Sequence, residues 1–219
     1  MTEPAHHLIK AVIWDLGGVL ARTNDRAPRT ELAHRLGMTY AELDAAVFNS
    51  PSARQASLGV ISAERHWENV CTGLNWPLED LAEFQRLFWG GDQLDMELVA
   101  YIRNLKPAFK SGLLSNNWSN LRHLIENRWQ ISDAFDTLVN SAEVGLLKPD
   151  PAIYQLTLER LGVQPQQAIF VDDFIENVQA ARQLGWRAVQ FLNPAQVRAE
   201  LDDILSPRVG QSQPEDSRA

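Results

Sequence analysis

The chain has 219 residues, of which 45% are hydrophobic and 22% charged, and its formal net charge is -8. Such a composition suits one soluble globular domain, or one carrying an inserted subdomain, and an acidic chain without a basic stripe is not built to displace counterions from nucleic acid. No apolar run approaches the ~20 residues needed to span a bilayer and the opening MTEPAHHLIK lacks the basic-then-apolar build of a signal peptide, so no membrane partner and a cytoplasmic location are expected.

In chain order, the first apolar run is LIKAVIWD, which stops on Asp15 and is followed at once by Gly17 and Gly18. From about Asn24 to Gln93 there is no convincing strand; RTELAHRLGM, TYAELDAAVF, SAERHWENVCTGL and LEDLAEFQRLFW each place apolar residues at helical spacing. That stretch is far longer than the helix that normally joins two parallel strands. Its single cysteine, Cys71, excludes an internal disulfide and reads as a small buried hydrophobe. Four further strand-length apolar runs follow in KSGLLSNN, DTLVNS, QAIFVDD and RAVQFL. Between them PAIYQLTLERLG starts a helix with Asp150 as N-cap and Pro151 at its first position, and Gly162 ends it. NVQAARQLG closes on Gly185 in the same way. From Ser206 onward the chain is polar and is expected to be disordered.

Near-continuous apolar runs alternating with helices describe parallel strands covered on both faces. The expected fold is therefore α/β, a doubly wound, Rossmann-like parallel sheet, with a small all-helical cap inserted after the first strand. The core would comprise 1–22 and 94–205, the cap 23–93, and the tail 206–219.

In open α/β sheets ligands bind outside the carboxyl ends of the strands. The best runs deliver Asp15, Ser115 with Asn116, and Asp172 with Asp173 to that edge, and the loop EVGLLKPDP adds Lys148. Crowded carboxylates repel one another unless a cation sits among them. Oxygen-only ligands favour Mg²⁺, which shares its coordination with water and phosphate oxygens. Lys148 and the Ser115 hydroxyl suit a phosphate, to which backbone N–H groups around Gly17, Gly18 and Asn116 can add donors. A carboxylate aimed at a clamped phosphorus is a covalent nucleophile that forms an aspartyl-phosphate.

The four segments also carry a resemblance. WDLGGVL, LLSNN, GLLKPDPAIY and FVDDFIENVQAARQLGW resemble, in order, the nucleophile, second, lysine and acidic motifs of the haloacid dehalogenase superfamily, in its subfamily with a helical cap after the first strand. The resemblance implies Asp15 as nucleophile, with Ser115 and Lys148 holding phosphate beside Asn116 and Gly18. It implies a Mg²⁺ site made of Asp15, the Gly17 carbonyl, Asp172 and Asp173, with the direct ligand of the last pair left open. Asn177 falls at a recurring family position, for which a structural role is the other reading. The helix-to-helix turn at Leu58–Gly59 resembles the family's substrate-reading loop, making Arg54 and Gln55 candidates to touch the leaving group. Trp118 reads as a packing residue first and as a pocket wall second.

One position departs from the pattern. The family's phosphatases usually carry a second aspartate two residues after the nucleophile, where it protonates the leaving group and then activates water; here that position is Gly17. The expected activity is Mg²⁺-dependent hydrolysis of a small phosphorylated metabolite whose leaving group needs little protonation, such as a sugar-1-phosphate. Two readings stay open beside it: a phosphate-binding protein without turnover, and a 2-haloacid dehalogenase. Against the last stands the acidic pair, which relatives with that activity replace by neutral residues. Oligomeric state cannot be read from the sequence.

Overall fold

The computed structural model describes residues 9–206; Ser206 closes the last helix, and the rest of the tail expected to be disordered lies outside the described residues. In chain order the elements are β1 (Ala11–Trp14), β2 (Ala21–Thr23), α1 (Ala27–Arg35), α2 (Tyr40–Phe48), α3 (Pro51–Ser57), α4 (Ala63–Gly73), α5 (Leu81–Phe88), β3 (Asp92–Leu94) and α6 (Met96–Leu105). They continue with β4 (Lys110–Ser115), α7 (Leu121–His123), β5 (Thr137–Asn140), α8 (Ser141–Val144), α9 (Pro151–Leu161), β6 (Ala168–Asp172), α10 (Ile175–Gln183), β7 (Arg187–Gln190) and α11 (Pro194–Leu205).

All five expected strands join one sheet of order β5-β4-β1-β6-β7, every pair parallel. Side chains alternate across it with the period of two that a pleated strand imposes. Ala11, Ile13, Leu114, Ala168 and Phe170 pack on one face against Ile153, Tyr154 and Leu158 of α9 and Ala181 of α10. Val12, Trp14, Leu113, Ile169 and Val171 pack on the other against α6 and α11 through Leu98, Val99, Ile102, Val197 and Leu201. Burial on both faces is what makes these strands read as unbroken apolar runs. The α9 boundaries follow their expected chemistry: the Asp150 side chain accepts from Ala152 N–H, Pro151 is the first helical residue, and Gly162 takes the left-handed conformation with φ 64°.

The α1–α5 segment builds most of a third hydrophobic cluster, with Leu32, Leu43, Trp67, Phe84 and Phe88 among its buried residues. Buried Arg29 ties it together by donating to Asp44, the Tyr40 hydroxyl, the Phe88 carbonyl and both Asp92 oxygens at 2.8–3.1 Å. Two short strands run antiparallel where the chain leaves and re-enters the sheet domain: β2 pairs with β3, Ala21 opposite Leu94 and Thr23 opposite Asp92. This ribbon corrects the reading of 24–93 as free of strand. Its residues are half-buried or exposed rather than apolar, so no hydrophobic run announces them. Among the described residues no helix is long and apolar enough to cross a membrane.

Candidate active site

The carboxyl ends of β1, β4 and β6 bring the chemically active side chains together. Asp15 directly follows β1, its N–H donating to the Val171 carbonyl at 2.9 Å, and Asp172 ends β6. By strand parity both belong to the face that α9 covers, and Lys148 arrives in the loop just before that helix. Its ammonium lies 2.9 Å from Asp15 Oδ1 and 2.6 Å from Asp172 Oδ2, with all three side chains buried. Carboxylate oxygens of Asp15, Asp172 and Asp173 all lie within 4.8 Å of one another. Ser115 is buried at the end of β4, opposite Asn140 in the register.

Electrostatics follow from this crowding. Burial pushes the Asp15 carboxyl above its ordinary range; Lys148 draws it back and Asp172 adds to the rise. Burial opposes charge on Lys148 too, but Asp15 and Asp172 outweigh it and hold the ammonium above the usual lysine value. Asp173 is pushed up to about 7, by burial first and then by Asp15 and Asp172.

The residues fit a divalent cation. One ammonium cannot balance three carboxylates, and the uncompensated charge is that of a divalent ion. Asp173 Oδ1 is buried with no hydrogen-bond partner among the described residues, a state that costs free energy unless something binds there. The donor set is entirely oxygen, which suits Mg²⁺. Gly18 keeps this space open: it sits at φ +74°, and a Cβ on it would lie 2.1 Å from Asp173 Oδ2.

Several expected contacts take a different form. The Gly18 N–H, read as a phosphate donor, is engaged by the Ala21 carbonyl at 2.9 Å, so Gly18 contributes room rather than a donor. The Asn116 side chain, read as lying beside the phosphate, makes a reciprocal pair with the Lys148 backbone: Nδ2 donates to Lys148 O at 2.9 Å and Oδ1 accepts from Lys148 N–H at 2.8 Å. It thereby fixes the base of the lysine. Asn177 Nδ2 donates to both Asp172 oxygens at 3.1 Å, and Phe174 N–H adds a third bond at 2.8 Å. Arg54 and Gln55 lie exposed on α3, and neither makes a side-chain hydrogen bond or ion pair among the described residues. A Cβ on Gly59, just past that helix, would collide with the Ala142 carbonyl beyond the end of β5. Gly17 is exposed and, apart from its chain neighbours, no atom of the described residues lies within 4 Å of where its Cβ would stand.

Trp118 settles as a packing residue. Although it belongs to the loop after β4, it is buried in the cap's aromatic cluster, 4.4 Å from the His66 ring and 5.4 Å from Trp67 between ring centres. Ser119 Oγ adds a bond by accepting from Ala63 N–H at 3.0 Å, where α4 starts.

A family profile described as haloacid dehalogenase-like hydrolase matches residues 9–185, most of the chain. The chain belongs to that family. The chain is 25% identical over 209 residues to D-ribitol-5-phosphate phosphatase of Bacteroides thetaiotaomicron, covering 91% of this chain and 100% of the relative. It is 32% identical over 111 residues to bifunctional epoxide hydrolase 2 of Mus musculus, covering 49% of this chain. The match spans about one-fifth of that longer relative, 20% of its length. Among solved structures, a Bacteroides thetaiotaomicron family enzyme in complex with magnesium and inorganic phosphate superposes with a TM-score of 0.69 at 21% identity, over 83% of this chain and 93% of the other.

Sequence reasoning missed the polar groups that support the site. Asn140, fully buried at the end of β5, donates to the Trp118 carbonyl at 2.8 Å. Ser141 Oγ accepts from Asn117 N–H at 2.9 Å and donates to the Asn117 carbonyl at 3.1 Å. Together they hold the loop that follows Ser115. The signal was present in VNS, polar groups closing a buried strand, but nothing local says which loop they serve.

Proposed function

We propose that this hydrolase is a Mg²⁺-dependent phosphatase of a small phosphorylated metabolite, working through an aspartyl-phosphate on Asp15, and that it favours esters with good leaving groups such as sugar-1-phosphates. The observation that carries the reading is the convergence of buried Asp15 and Asp172, both paired with the Lys148 ammonium, with half-buried Asp173, whose Oδ1 has no hydrogen-bond partner among the described residues. The phosphatase relative of similar length and the family enzyme holding magnesium and phosphate support it.

Asp15, with Asp172, Asp173 and the Gly17 carbonyl, would hold the ion, which when bound neutralises charge on the phosphoryl oxygens. Lys148, kept charged by its two carboxylate neighbours, orients Asp15 and attracts the dianionic ester; the Ser115 hydroxyl donates to a phosphate oxygen. Asp15 attacks phosphorus, a new P–O bond forms, and the bond to the leaving oxygen breaks. The departing alkoxide takes its proton from water, because no acid stands at position 17. Water then attacks the phosphorus of the acyl phosphate, releasing inorganic phosphate and restoring the carboxylate. Without a positioned acid the first step is sensitive to leaving-group basicity. An anomeric or aryl oxygen departs more readily than a primary alkoxide. The cap supplies the enclosure that protects a phospho-enzyme from uncontrolled water.

Phosphate release with Mg²⁺ should be measured on p-nitrophenyl phosphate, a sugar-1-phosphate and a primary alkyl phosphate, for the native protein and Asp15→Asn. The expected order places the first two well above the third, with all release lost in Asp15→Asn. Equal efficiency on all three would end the leaving-group argument, and release surviving in Asp15→Asn would end the nucleophile assignment. Chloride release from 2-chloropropionate without Mg²⁺ is expected to be absent.

A further inference from the structure

We propose a second anion site on the opposite rim of the sheet, built to take a small organic phosphate bearing at least two negative charges. A cavity of about 530 Å³ opens where β1, β4 and β5 begin. Its wall carries Lys10, Lys106, Lys110 and Arg160 against a single acid, Asp136. Lys106 pairs with Asp136 at 3.2 Å; Lys10, Lys110 and Arg160 have no carboxylate partner among the described residues. In a chain whose net charge is -8, an excess of three cations around one open groove is a local reversal of sign that attracts anions.

Structural duties do not exhaust these cations. Lys110 Nζ donates to the Leu161 carbonyl at the end of α9 at 2.6 Å, Lys106 Nζ to the Asp133 carbonyl at 2.7 Å, and Arg160 Nη1 to the Leu138 carbonyl at 3.3 Å. An ammonium has three donors and a guanidinium five, so each retains N–H groups for a ligand, and Lys10 has no side-chain bond among the described residues. Ile9, Phe109 and Leu161 add apolar wall, which a bare inorganic ion would not use and an organic moiety would. The six residues of β4 put about 17 Å between this rim and the catalytic one, so the two sites are separate, and this inference stands whether or not the catalytic reading does.

The test titrates inorganic pyrophosphate, in EDTA, into ¹⁵N-labelled protein and follows backbone amides. The site predicts saturable shifts at Lys10, Phe109, Lys110 and Thr137. Lys10→Gln/Arg160→Gln, which spares the helix-capping Lys110, should weaken binding there roughly tenfold, the scale of two lost exposed ion pairs. In that variant the responses of Ser115 and Asp173 and the Mg²⁺-dependent turnover should be unchanged. The proposal is overturned if shifts are confined to the catalytic rim, if the variant binds pyrophosphate as tightly as the native chain, or if sodium chloride at matched ionic strength produces the same saturable shifts.

Discussion

On the proposed mechanism, replacing Gly17 by aspartate is expected to relieve the dependence on the leaving group. The structure admits the change: apart from its chain neighbours, no atom of the described residues lies within 4 Å of the added Cβ, and Gly17, unlike Gly18, does not occupy the left-handed region that penalises a side chain. Losing the conformational freedom of glycine at such a site is neutral to mildly stabilising, by up to about 1 kcal/mol. The new carboxyl would stand two residues after Asp15, beside the cluster of Asp15, Asp172 and Asp173. Like-charge neighbours raise a carboxyl pKa, which favours the protonated form that an acid catalyst needs. A positioned general acid is worth typically 10²–10⁴ in rate. An introduced one without evolved support should deliver the low end, roughly 10- to 100-fold in kcat/KM on a primary alkyl phosphate, or about 1.4–2.7 kcal/mol. On p-nitrophenyl phosphate, which needs no proton, the gain should stay within about threefold. Steady-state phosphate release on both esters, with Gly17→Asn as the isosteric control that cannot donate a carboxyl proton, decides it. Equal gains on the two esters, or a gain of the same size from Gly17→Asn, would refute the reasoning.

Asp173 makes the metal-free protein pH-sensitive. Its folded pKa, about 7, exceeds the unfolded value near 3.8, so between those limits the folded state keeps a proton that the unfolded state has lost, and stability must fall as pH rises. Thermal unfolding in EDTA should therefore show a Tm that declines from pH 5 to 7 and a shallower decline in Asp173→Asn; a Tm rising over that window would contradict the assignment. Mg²⁺ at 100-fold over its Kd should restore about 2.7 kcal/mol, roughly 5–10 °C for a chain of this size, and Asp173→Asn should forfeit most of it. Trp118→Ala removes a sheet-domain side chain from the cap's core and should cost about 3–5 kcal/mol, read as faster amide exchange in α4 and α5 while β1 and β6 keep their protection. Unchanged protection in the cap helices would show that Trp118 does not fasten the cap.

The sheet was legible because it is buried on both sides. AVIW and AIFVD are strands whose interior positions are all apolar, and the acid that closes each run stands out; KSGLLS is legible by its buried Gly-Leu-Leu centre, closed by Ser115. The helix starting at Pro151 was equally plain, since its Asp-Pro entry and Gly162 exit are local backbone chemistry. Asp15, Lys148, Asp172 and Asp173 could be named from the chain alone because strand ends of a parallel sheet share one rim.

What the sequence could not supply is the partner of any group whose partner is far away. The β2–β3 ribbon joins ART to DQL across the whole cap, with no apolar pattern in either. The Asn116 amide looks free to meet a ligand until the fold delivers the Lys148 backbone to it. Trp118 belongs by sequence to one domain and by packing to the other, and Gly18 is needed for a carboxylate more than 150 residues away, Asp173. Residue type and local periodicity are set by burial and backbone geometry within a few positions, so the chain alone determined the strands, the helix ends and which polar side chains stand at the strand tips. Which of those groups touch, and which are spent holding others in place, depends on contacts between distant segments that only the closed tertiary structure creates.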